Sequence, residues 1–495
     1  MSKEFVLTPH CGKLRYKEGK MKITLINMDY MIYADPPLTL AYLAGYIRKY
    51  LPEIEINILD QLTTEEMISK LKKDTPNIIG ISATTLNYYK TKELTKVLRK
   101  DFPNVILVLG GVYITCFPEP FKDSLFDMAV IGEGERSFLN LIKVIQKTGK
   151  VSPKEFKKIK GLIFRDGKKI VNTGMPDLIE DLDEVPIPAR DLLNMDFYCL
   201  PGIFALNLDH YGAILTSRGC PFNCSYCASA CFWNRKLRFF SAERVADEIE
   251  HLYKEYGYRN INIYDDIFSV NKPRLKKIIT LLEKKELLGK INFFAMARPN
   301  VFDEETAILL KKLGIASIVF GFESGSQKML SYLKGNDIKI ENSIETINLC
   351  KKHNIPFSGF FMIGSPGETV EDMEETYQFI KKYCPEFSLY QTKAFPGTEV
   401  WKYAIENKII AENHYDVEQK IIIDVDSRFL LSKEISAKEF EDYFKKIESS
   451  NPGMQRSILL KNLLKIRGRH IKKFLSPIFI KKAVLLKDRF LEKVL

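Results

Sequence analysis

The chain lacks two features: histidines spaced as ligands of a single metal ion, and apolar runs long enough to cross a membrane. It contains six histidines, and their positions show none of the spacings typical of metal ligands. No apolar run reaches the length of about eighteen residues that a membrane-spanning helix needs. The first twenty residues, interrupted by Pro9 and Gly12, lack the apolar core of a secretion signal. These absences predict a cytoplasmic protein, in which thiols stay reduced.

Three of the nine cysteines lie close together, in the pattern C-x3-C-x2-C formed by Cys220, Cys224 and Cys227. An odd cysteine count without secretory context disfavours a disulfide framework. Zinc sites usually add a second Cys or His pair downstream, and no such pair follows; Cys231 is a less favoured fourth ligand. A [4Fe–4S] cluster normally takes four thiolates, so three cysteines leave one iron free. The pattern therefore predicts an iron–sulfur cluster with an open coordination position.

The formal net charge of +11 is concentrated at one end of the chain. Residues 454–495 contain twelve Lys or Arg and two acidic residues, so the remaining body is close to neutral. This distribution predicts no nucleic-acid groove. Apolar residues alternate with the basic ones, which is typical of amphipathic helices that lie on anionic membranes. A helical subdomain packed on the protein with a solvated basic face explains the pattern equally well.

Residues 21–150 alternate short apolar runs with segments of helical periodicity, which predicts a doubly wound, Rossmann-like α/β domain. The predicted strands are Lys22–Asn27, Glu55–Leu59, Ile78–Ser82, 105–109 and 128–131. Glycine-containing turns follow the fourth and fifth strands, at Gly110-Gly111 and at residues 132–135. Ligands of such sheets bind at the carboxyl ends of the strands.

Residues 151–206 are rich in proline and acids and predict a linker with a hairpin, whose strands are 161–164 and 169–171. Strand–helix alternation resumes in residues 207–400, where six repeats predict a partial (β/α)6 barrel related to the TIM barrel. Its strands are expected near 212–216, 260–264, 291–296, 316–321, 357–363 and 387–392. We expect residues 1–20 to be a flexible extension and residues 401–495 to be a helical extension that ends in the basic tail.

A three-cysteine loop after the first barrel strand, with Tyr226 before the last cysteine, resembles the radical S-adenosylmethionine (radical SAM) superfamily. The preceding domain, with Pro36-Pro37-Leu38-Thr39-Leu40-Ala41-Tyr42-Leu43 and the two glycine turns, resembles the cobalamin-binding subgroup. Relatives of this architecture include hopanoid methylases, the anaerobic magnesium-protoporphyrin ester cyclase and phosphinate methylases. The resemblance implies three cofactors: a [4Fe–4S] cluster, S-adenosylmethionine (SAM) and cobalamin.

The resemblance also implies roles for residues at the ends of the barrel strands. In the family the open iron chelates the amino and carboxylate groups of SAM, and one electron splits SAM into methionine and a 5′-deoxyadenosyl radical. Asp265 and Asp266 follow the second strand, where relatives bind the methionine amino group. Arg298 ends the third strand and suits a ribose or a carboxylate, and Glu323 follows the fourth. For each of these residues a helix cap or a turn is the alternative interpretation.

Cobalamin is implied less directly. Better-known cobalamin domains carry Asp-x-His-x-x-Gly after the first strand, and here Asp29-Tyr30-Met31 opens the corresponding segment without a histidine. Histidine ligation of cobalt is therefore not expected. Ser82 and Thr84, with Gly110 and Gly111, would line the site of the nucleotide tail. A scaffold that has lost its cofactor is the alternative, since a fold does not establish occupancy.

The expected function is cobalamin-dependent methylation of an unactivated carbon in a small-molecule or lipid substrate, for example a tetrapyrrole. An electron donor such as ferredoxin or flavodoxin and a membrane surface bound through the tail are the expected partners. The alternatives are oxidative cyclisation or carbon–carbon coupling without methyl transfer, a methylthiotransferase acting on RNA, and a membrane-docked sensor without catalysis. An RNA methylthiotransferase usually has a second three-cysteine set upstream, and residues 1–150 contain only Cys11 and Cys116.

Overall fold

The structure is a computed structural model that describes residues 21–28, 36–149, 151–195, 198, 211–411 and 425–451. Three predictions fall outside the described residues: the flexible extension 1–20, the histidine-free segment that begins at Asp29, and the basic tail 454–495.

A seven-stranded sheet forms the first half of the chain, in the order β2-β1-β3-β4-β5-β6-β7. Strands β1 to β5 are parallel, as predicted for a doubly wound domain. The seven strands are Lys22–Asn27, Glu55–Leu59, Ile78–Ser82, Ile106–Gly110, Met128–Val130, Leu162–Asp166 and Lys169–Asn172. The five predicted strands are confirmed; the fourth begins and ends one residue later than expected, and the fifth ends one residue earlier.

Helices cover both faces of this sheet because its central strands are apolar on both sides. The helices are α1 (Leu38–Tyr50), α2 (Thr64–Asp74), α3 (Tyr88–Asp101), α4 (Val112–Cys116), α5 (Gly134–Thr148) and α6 (Pro153–Phe156). Helices α1 and α5 pack in one core with Leu25, and α2 and α3 pack in the other with Ile26. Alternate residues of β1 thus face opposite layers.

The hairpin predicted within the linker is confirmed, and it extends the sheet. Strands β6 and β7 pair antiparallel around Gly167, and β6 also pairs antiparallel with β5. The sheet therefore runs to Asn172, beyond the limit predicted at residue 150. The apolar side of β6 explains the difference, because Leu162 and Phe164 are buried in the sheet core rather than exposed in a connector.

Six parallel strands form a second, open sheet in the order β15-β14-β13-β12-β11-β8. They are β8 (Tyr211–Ile214), β11 (Asn260–Ile263), β12 (Asn292–Ala297), β13 (Ile315–Glu323), β14 (Phe357–Ile363) and β15 (Phe387–Gln391). The intervening helices are α7 (Ser229–Trp233), α8 (Ala242–Glu255), α9 (Lys272–Lys284), α10 (Glu304–Leu313), α11 (Gln327–Lys334), α12 (Ile340–Lys352) and α13 (Val370–Tyr383). The predicted partial barrel and its six strands are confirmed.

A short antiparallel ribbon was not predicted. Strands β9 (Ser217–Arg218) and β10 (Arg238–Phe239) pair so that Arg218 lies opposite Arg238. The ribbon closes the base of residues 219–237, the segment that carries the three clustered cysteines.

After the barrel the chain returns to the first domain. Helix α14 (Glu399–Glu406) places Val400 and Trp401 in the same core as α2 and α3. Helix α15 (Ala437–Ser449) packs beside α13. Among the described helices, none is long and apolar enough to cross a membrane.

Candidate functional site: a cavity between the sheet domain and the cysteine loop

A cavity of about 560 Å³ lies between the carboxyl ends of the first sheet and the cysteine loop. Ser82, Gly110 and Gly111 line it on the sheet side, and Cys227 and Asp266 line it on the barrel side. The carboxyl ends of two parallel sheets thus face one space, which is where α/β folds bind ligands.

The four residues predicted to hold the nucleotide tail, Ser82, Thr84, Gly110 and Gly111, all line this cavity. Gly111 has a φ of +100°, and a Cβ there would come within 2.4 Å of the Ala83 carbonyl oxygen. Only glycine lets the backbone turn this closely. The Thr84 Oγ1 atom is buried and has no hydrogen-bond partner among the described residues. A close backbone turn beside an unpartnered hydroxyl fits a bound polar tail such as that of cobalamin.

Gly219 sets the path of the cysteine loop. Its φ is +96°, and a Cβ would come within 1.9 Å of the Lys236 carbonyl oxygen at the other end of the loop. Further along, the backbone N–H of Ser225 donates to Leu333 O at 2.9 Å, and the N–H of Val400 donates to Ser225 O at 3.1 Å. The loop is therefore held by its own base, by the end of α11 and by α14.

The three cysteines predicted to hold the cluster lie on one loop. Among the described residues, no group of three His, Cys, Asp or Glu side chains is gathered tightly enough for a single metal ion. Cys220, Cys224 and Cys227 share one loop and are partly exposed, as a larger cluster requires. Burial raises the pKa of Cys227 to about 12 and also raises the pKa of Cys220. Thiols with raised pKa values would release protons if they bound iron as thiolates.

Cys231 is turned toward a different partner. A hydrogen bond between the thiols of Cys116 and Cys231 raises the pKa of Cys116 and lowers that of Cys231. The two side chains meet beside Gly397, where a Cβ would lie 3.0 Å from Cys231 Sγ. This contact gives no support to Cys231 as a fourth cluster ligand.

Asp265 and Asp266 have different surroundings, although they are adjacent in the chain. Asp265 is fully buried, and its carboxylate accepts hydrogen bonds from the backbone N–H and hydroxyl groups of Thr216 and Ser217. It does not line the cavity, and its hydrogen bonds fix the end of the first barrel strand; its contact with SAM stays a prediction. Asp266 lines the cavity and accepts a hydrogen bond from Ser229 Oγ at 2.8 Å. Burial raises the pKa of Asp266.

Arg298 lies against the cysteine loop rather than in the cavity. Its Nη1 donates to Cys224 Sγ at 3.0 Å, and its Nη2 donates to Lys334 O at 2.8 Å. The guanidinium also stacks 4.0 Å from the ring centre of Phe222. A hydrogen bond of this kind orients the sulfur atom as a ligand. The structure thus places Arg298 against the cysteine loop, and its contact with a ribose or a carboxylate stays a prediction.

Glu323 lies at the end of β13 and contacts the loop through Tyr226. Tyr226 OH donates to Glu323 Oε1 at 2.8 Å, and Lys334 Nζ lies 3.3 Å from the same oxygen. Glu323 has a φ of +66°, which is rare outside glycine and marks a position held by its surroundings. It does not line the cavity, and its side chain contacts the aromatic residue of the cysteine motif; the SAM contact of Glu323 stays a prediction.

The sequence analysis missed two buried ion pairs at the site, which share one carboxylate. Glu133, in the glycine turn 132–135, accepts hydrogen bonds from both Arg218 and Arg238. The sequence contains no local signal for these pairs, since about a hundred residues separate Glu133 from Arg238.

Comparisons with known proteins agree with this geometry. Residues 33–142 match the B12 binding domain, and residues 214–380 match the Radical SAM superfamily. An uncharacterised methyltransferase of Pyrococcus horikoshii is 35% identical over 382 residues, 76% of this chain and 80% of the relative. The anaerobic magnesium-protoporphyrin IX monomethyl ester cyclase of Cereibacter sphaeroides is 29% identical over 360 residues, 71% of this chain and 57% of the relative.

Solved structures show the same fold. The radical SAM methyltransferase TsrM from Kitasatospora setae, with cobalamin and a [4Fe-4S] cluster bound, matches with a TM-score of 0.65 at 18% identity, over 79% of this chain and 75% of TsrM. The cobalamin-dependent enzyme OxsB matches with a TM-score of 0.64 at 19% identity, over 87% of this chain and 62% of OxsB. The chain therefore belongs to the cobalamin-binding subgroup of the radical SAM superfamily and is an enzyme whose cofactors are a [4Fe–4S] cluster, SAM and cobalamin.

Proposed function

We propose that the enzyme methylates an unactivated carbon of an apolar small molecule, such as a lipid or a tetrapyrrole. The observation that carries the proposal is the shared cavity, because Gly110 and Gly111 of the cobalamin-binding domain and Cys227 of the cysteine loop line one space. When bound, the cluster and SAM supply radical chemistry that acts on carbon, and cobalamin serves as the methyl carrier. The protein positions these groups and excludes water from them.

The residues toward the open edge of the barrel support an apolar substrate. On β14, Phe361 packs against Phe379 of α13, so Phe360 and Met362 point to the face that the helices leave free. On the edge strand β15, Tyr390 is 45% exposed and its ring lies 5.6 Å from that of Phe360, edge to face. Partly exposed aromatic and methionine side chains that lie together are typical of surfaces that bind apolar ligands.

Roles follow for the residues around the cavity. Cys220, Cys224 and Cys227 hold the cluster, and Arg298 supports the Cys224 thiolate. Asp266 presents a carboxylate to the cavity, which suits the ammonium group of SAM. Ser82 and Thr84, beside the two glycines, hold the nucleotide tail of cobalamin.

Two partners complete the proposal. The cluster receives its electron from a ferredoxin or flavodoxin, and the basic tail 454–495 brings the enzyme to an anionic membrane that supplies the substrate. Flotation with anionic liposomes tests the second partner: the full chain should float with the liposomes, and a chain ending at residue 453 should not. Equal flotation of both would contradict the role of the tail.

Methyl transfer is tested with protein that has been reconstituted anaerobically with iron, sulfide and cobalamin. The reconstituted protein is given a reductant and SAM that carries a deuterated methyl group. It is incubated separately with organic and aqueous cell extracts, and products are analysed by mass spectrometry. The proposal expects 5′-deoxyadenosine together with labelled methyl in the organic fraction. Label confined to the aqueous fraction would contradict the apolar substrate.

An oxidative cyclase is the second candidate, because the Cereibacter sphaeroides relative bears that name and is 29% identical. In the same experiment a cyclase would form 5′-deoxyadenosine without transferring label to any product.

A further inference from the structure

The base of the cysteine loop carries two arginines in register. Arg218 and Arg238 face each other across the β9–β10 ribbon, and residues 219–237 between them contain all three cluster cysteines. Side chains that are opposite each other in such a pair project to the same face of the ribbon. Any group that binds both arginines therefore holds the loop at its base.

Glu133 of the cobalamin-binding domain is that group. Its Oε1 accepts from Arg218 Nη1 at 2.8 Å, and its Oε2 accepts from Arg238 Nη1 at 2.8 Å. The same Oε2 accepts from the backbone N–H of Ile179 at 2.8 Å, and Arg218 also donates to Glu135 Oε1 at 2.7 Å. The glycine turn 132–135 is thereby bonded to the loop on both sides of its base.

The four charges are buried and balance one another. The side chains of Arg218, Arg238, Glu133 and Glu135 are 2% to 7% exposed. Burial by itself opposes ionisation of Glu133, but the two arginines outweigh it and hold the pKa of Glu133 below its ordinary value. Loss of the Glu133 charge would leave one buried arginine without a counter-charge. We expect the protein to reduce this imbalance by moving one of the charged side chains.

This ionic group also lies in the cavity wall. Glu133, Glu135 and Arg218 line the cavity between the glycine turns of the first domain and Cys227. A shift at the base of the loop would therefore change the distance between the two ends of the cavity. The three residues are placed to set that distance, whichever substrate the enzyme uses.

We propose that Glu133 is a positioning residue that fixes the separation between the cobalamin site and the iron–sulfur cluster, by holding both arginines at the base of the cysteine loop. The proposal rests on the two cofactors and not on the identity of the substrate. It goes beyond the place of residues 132–135 in the cavity wall.

The test uses the full chain carrying cluster and cobalamin, with Glu133→Gln as the variant. Glu248→Gln is the matched control: Glu248 is also buried between two arginines, Arg190 and Arg244, and does not line the cavity. Pulsed electron paramagnetic resonance measures the dipolar interaction between cob(II)alamin and the reduced cluster, which falls with the cube of their distance. Iron and cobalamin contents are measured on the same samples.

The expected result is a changed dipolar interaction in Glu133→Gln at unchanged iron and cobalamin contents, and an unchanged interaction in Glu248→Gln. The same interaction in Glu133→Gln as in the native protein would overturn the proposal. Because the single variant leaves a buried cation, the charge-balanced variant Glu133→Gln/Arg238→Gln is the second test. It should load both cofactors with a changed interaction; failure of this variant to load them, or loading with the native interaction, would overturn the proposal.

Discussion

Replacement of Gly219 by alanine should disrupt the cysteine loop while leaving the rest of the fold in place. Gly219 immediately precedes Cys220 and has a φ of +96°. Its alanine Cβ would lie 1.9 Å from Lys236 O, where real Cβ atoms essentially never come within 3.0 Å. Lys236 is fixed two residues before Arg238 of the ribbon. The backbone at the base of the loop must therefore move by roughly 1 Å, as that distance implies.

The loss of folding stability in Gly219→Ala has two parts, and a control variant separates them. A side chain in the left-handed region costs about 1–2 kcal/mol. The contact with a backbone carbonyl adds overpacking strain of about 1–3 kcal/mol. Gly167→Ala in the β6–β7 turn carries the first cost alone, because Gly167 has a φ of +61° and nothing lies within 4 Å of its Cβ position. Gly219→Ala should therefore lose about 1–3 kcal/mol more than Gly167→Ala.

The assay compares both variants with the native protein after anaerobic reconstitution with iron and sulfide. Denaturant unfolding gives the loss of stability, and bound iron per chain reports whether the loop still holds the cluster. Gly167→Ala should bind the native amount of iron, and Gly219→Ala should bind much less. Equal stability and equal iron content in the two variants would refute the account of the loop.

Three further predictions concern the cluster, its support and a buried acid. Cys224→Ala should lose most of the bound iron and all SAM cleavage, whereas Cys231→Ala should keep both; equal iron loss in the two would show that Cys231 is a ligand. Tyr226→Phe should cost about 1–3 kcal/mol of stability, because it leaves the buried Glu323 without its hydroxyl donor; a loss within experimental error would contradict that contact. Burial raises the pKa of Glu368 to about 8. The folded state thus holds this proton more tightly than the unfolded chain, so the contribution of Glu368 to stability should fall between pH about 4.5 and pH about 8. Glu368→Gln should flatten the denaturant-unfolding profile across that window, and an unchanged profile would contradict it.

The strands were predictable because they are buried. Parallel strands covered by helices on both faces read as short, nearly continuous apolar runs, as in Ile78–Ser82. The glycine turns after such strands were also predictable, since Gly111 needs a φ of +100° that other residues rarely adopt. The hairpin around Gly167 was found by its turn residues. Its pairing with β5 was not, because strand partners distant in sequence leave no local pattern.

The roles of single charged residues were less predictable. Asp265 and Asp266 read alike in the sequence, but neighbouring residues at a strand end point in different directions, and the hydroxyl groups of Thr216 and Ser217 bind the first. The ribbon that aligns Arg218 with Arg238 has two residues in each strand, too few for any periodicity. The hydrogen bonds of these two arginines to Glu133 depend on how two domains pack together. No single segment of the sequence encodes that packing.

The central claim is that the cluster and cobalamin together methylate an apolar substrate. The most direct test compares native protein with Cys224→Ala, each with and without cobalamin. All samples are incubated with the organic extract, methyl-deuterated SAM and a reductant. Mass spectrometry quantifies 5′-deoxyadenosine and labelled product in the four samples. The account predicts 5′-deoxyadenosine only where Cys224 is present, and labelled product only where Cys224 and cobalamin are both present. Transfer of the label in equal yield by Cys224→Ala, or without cobalamin, would contradict it.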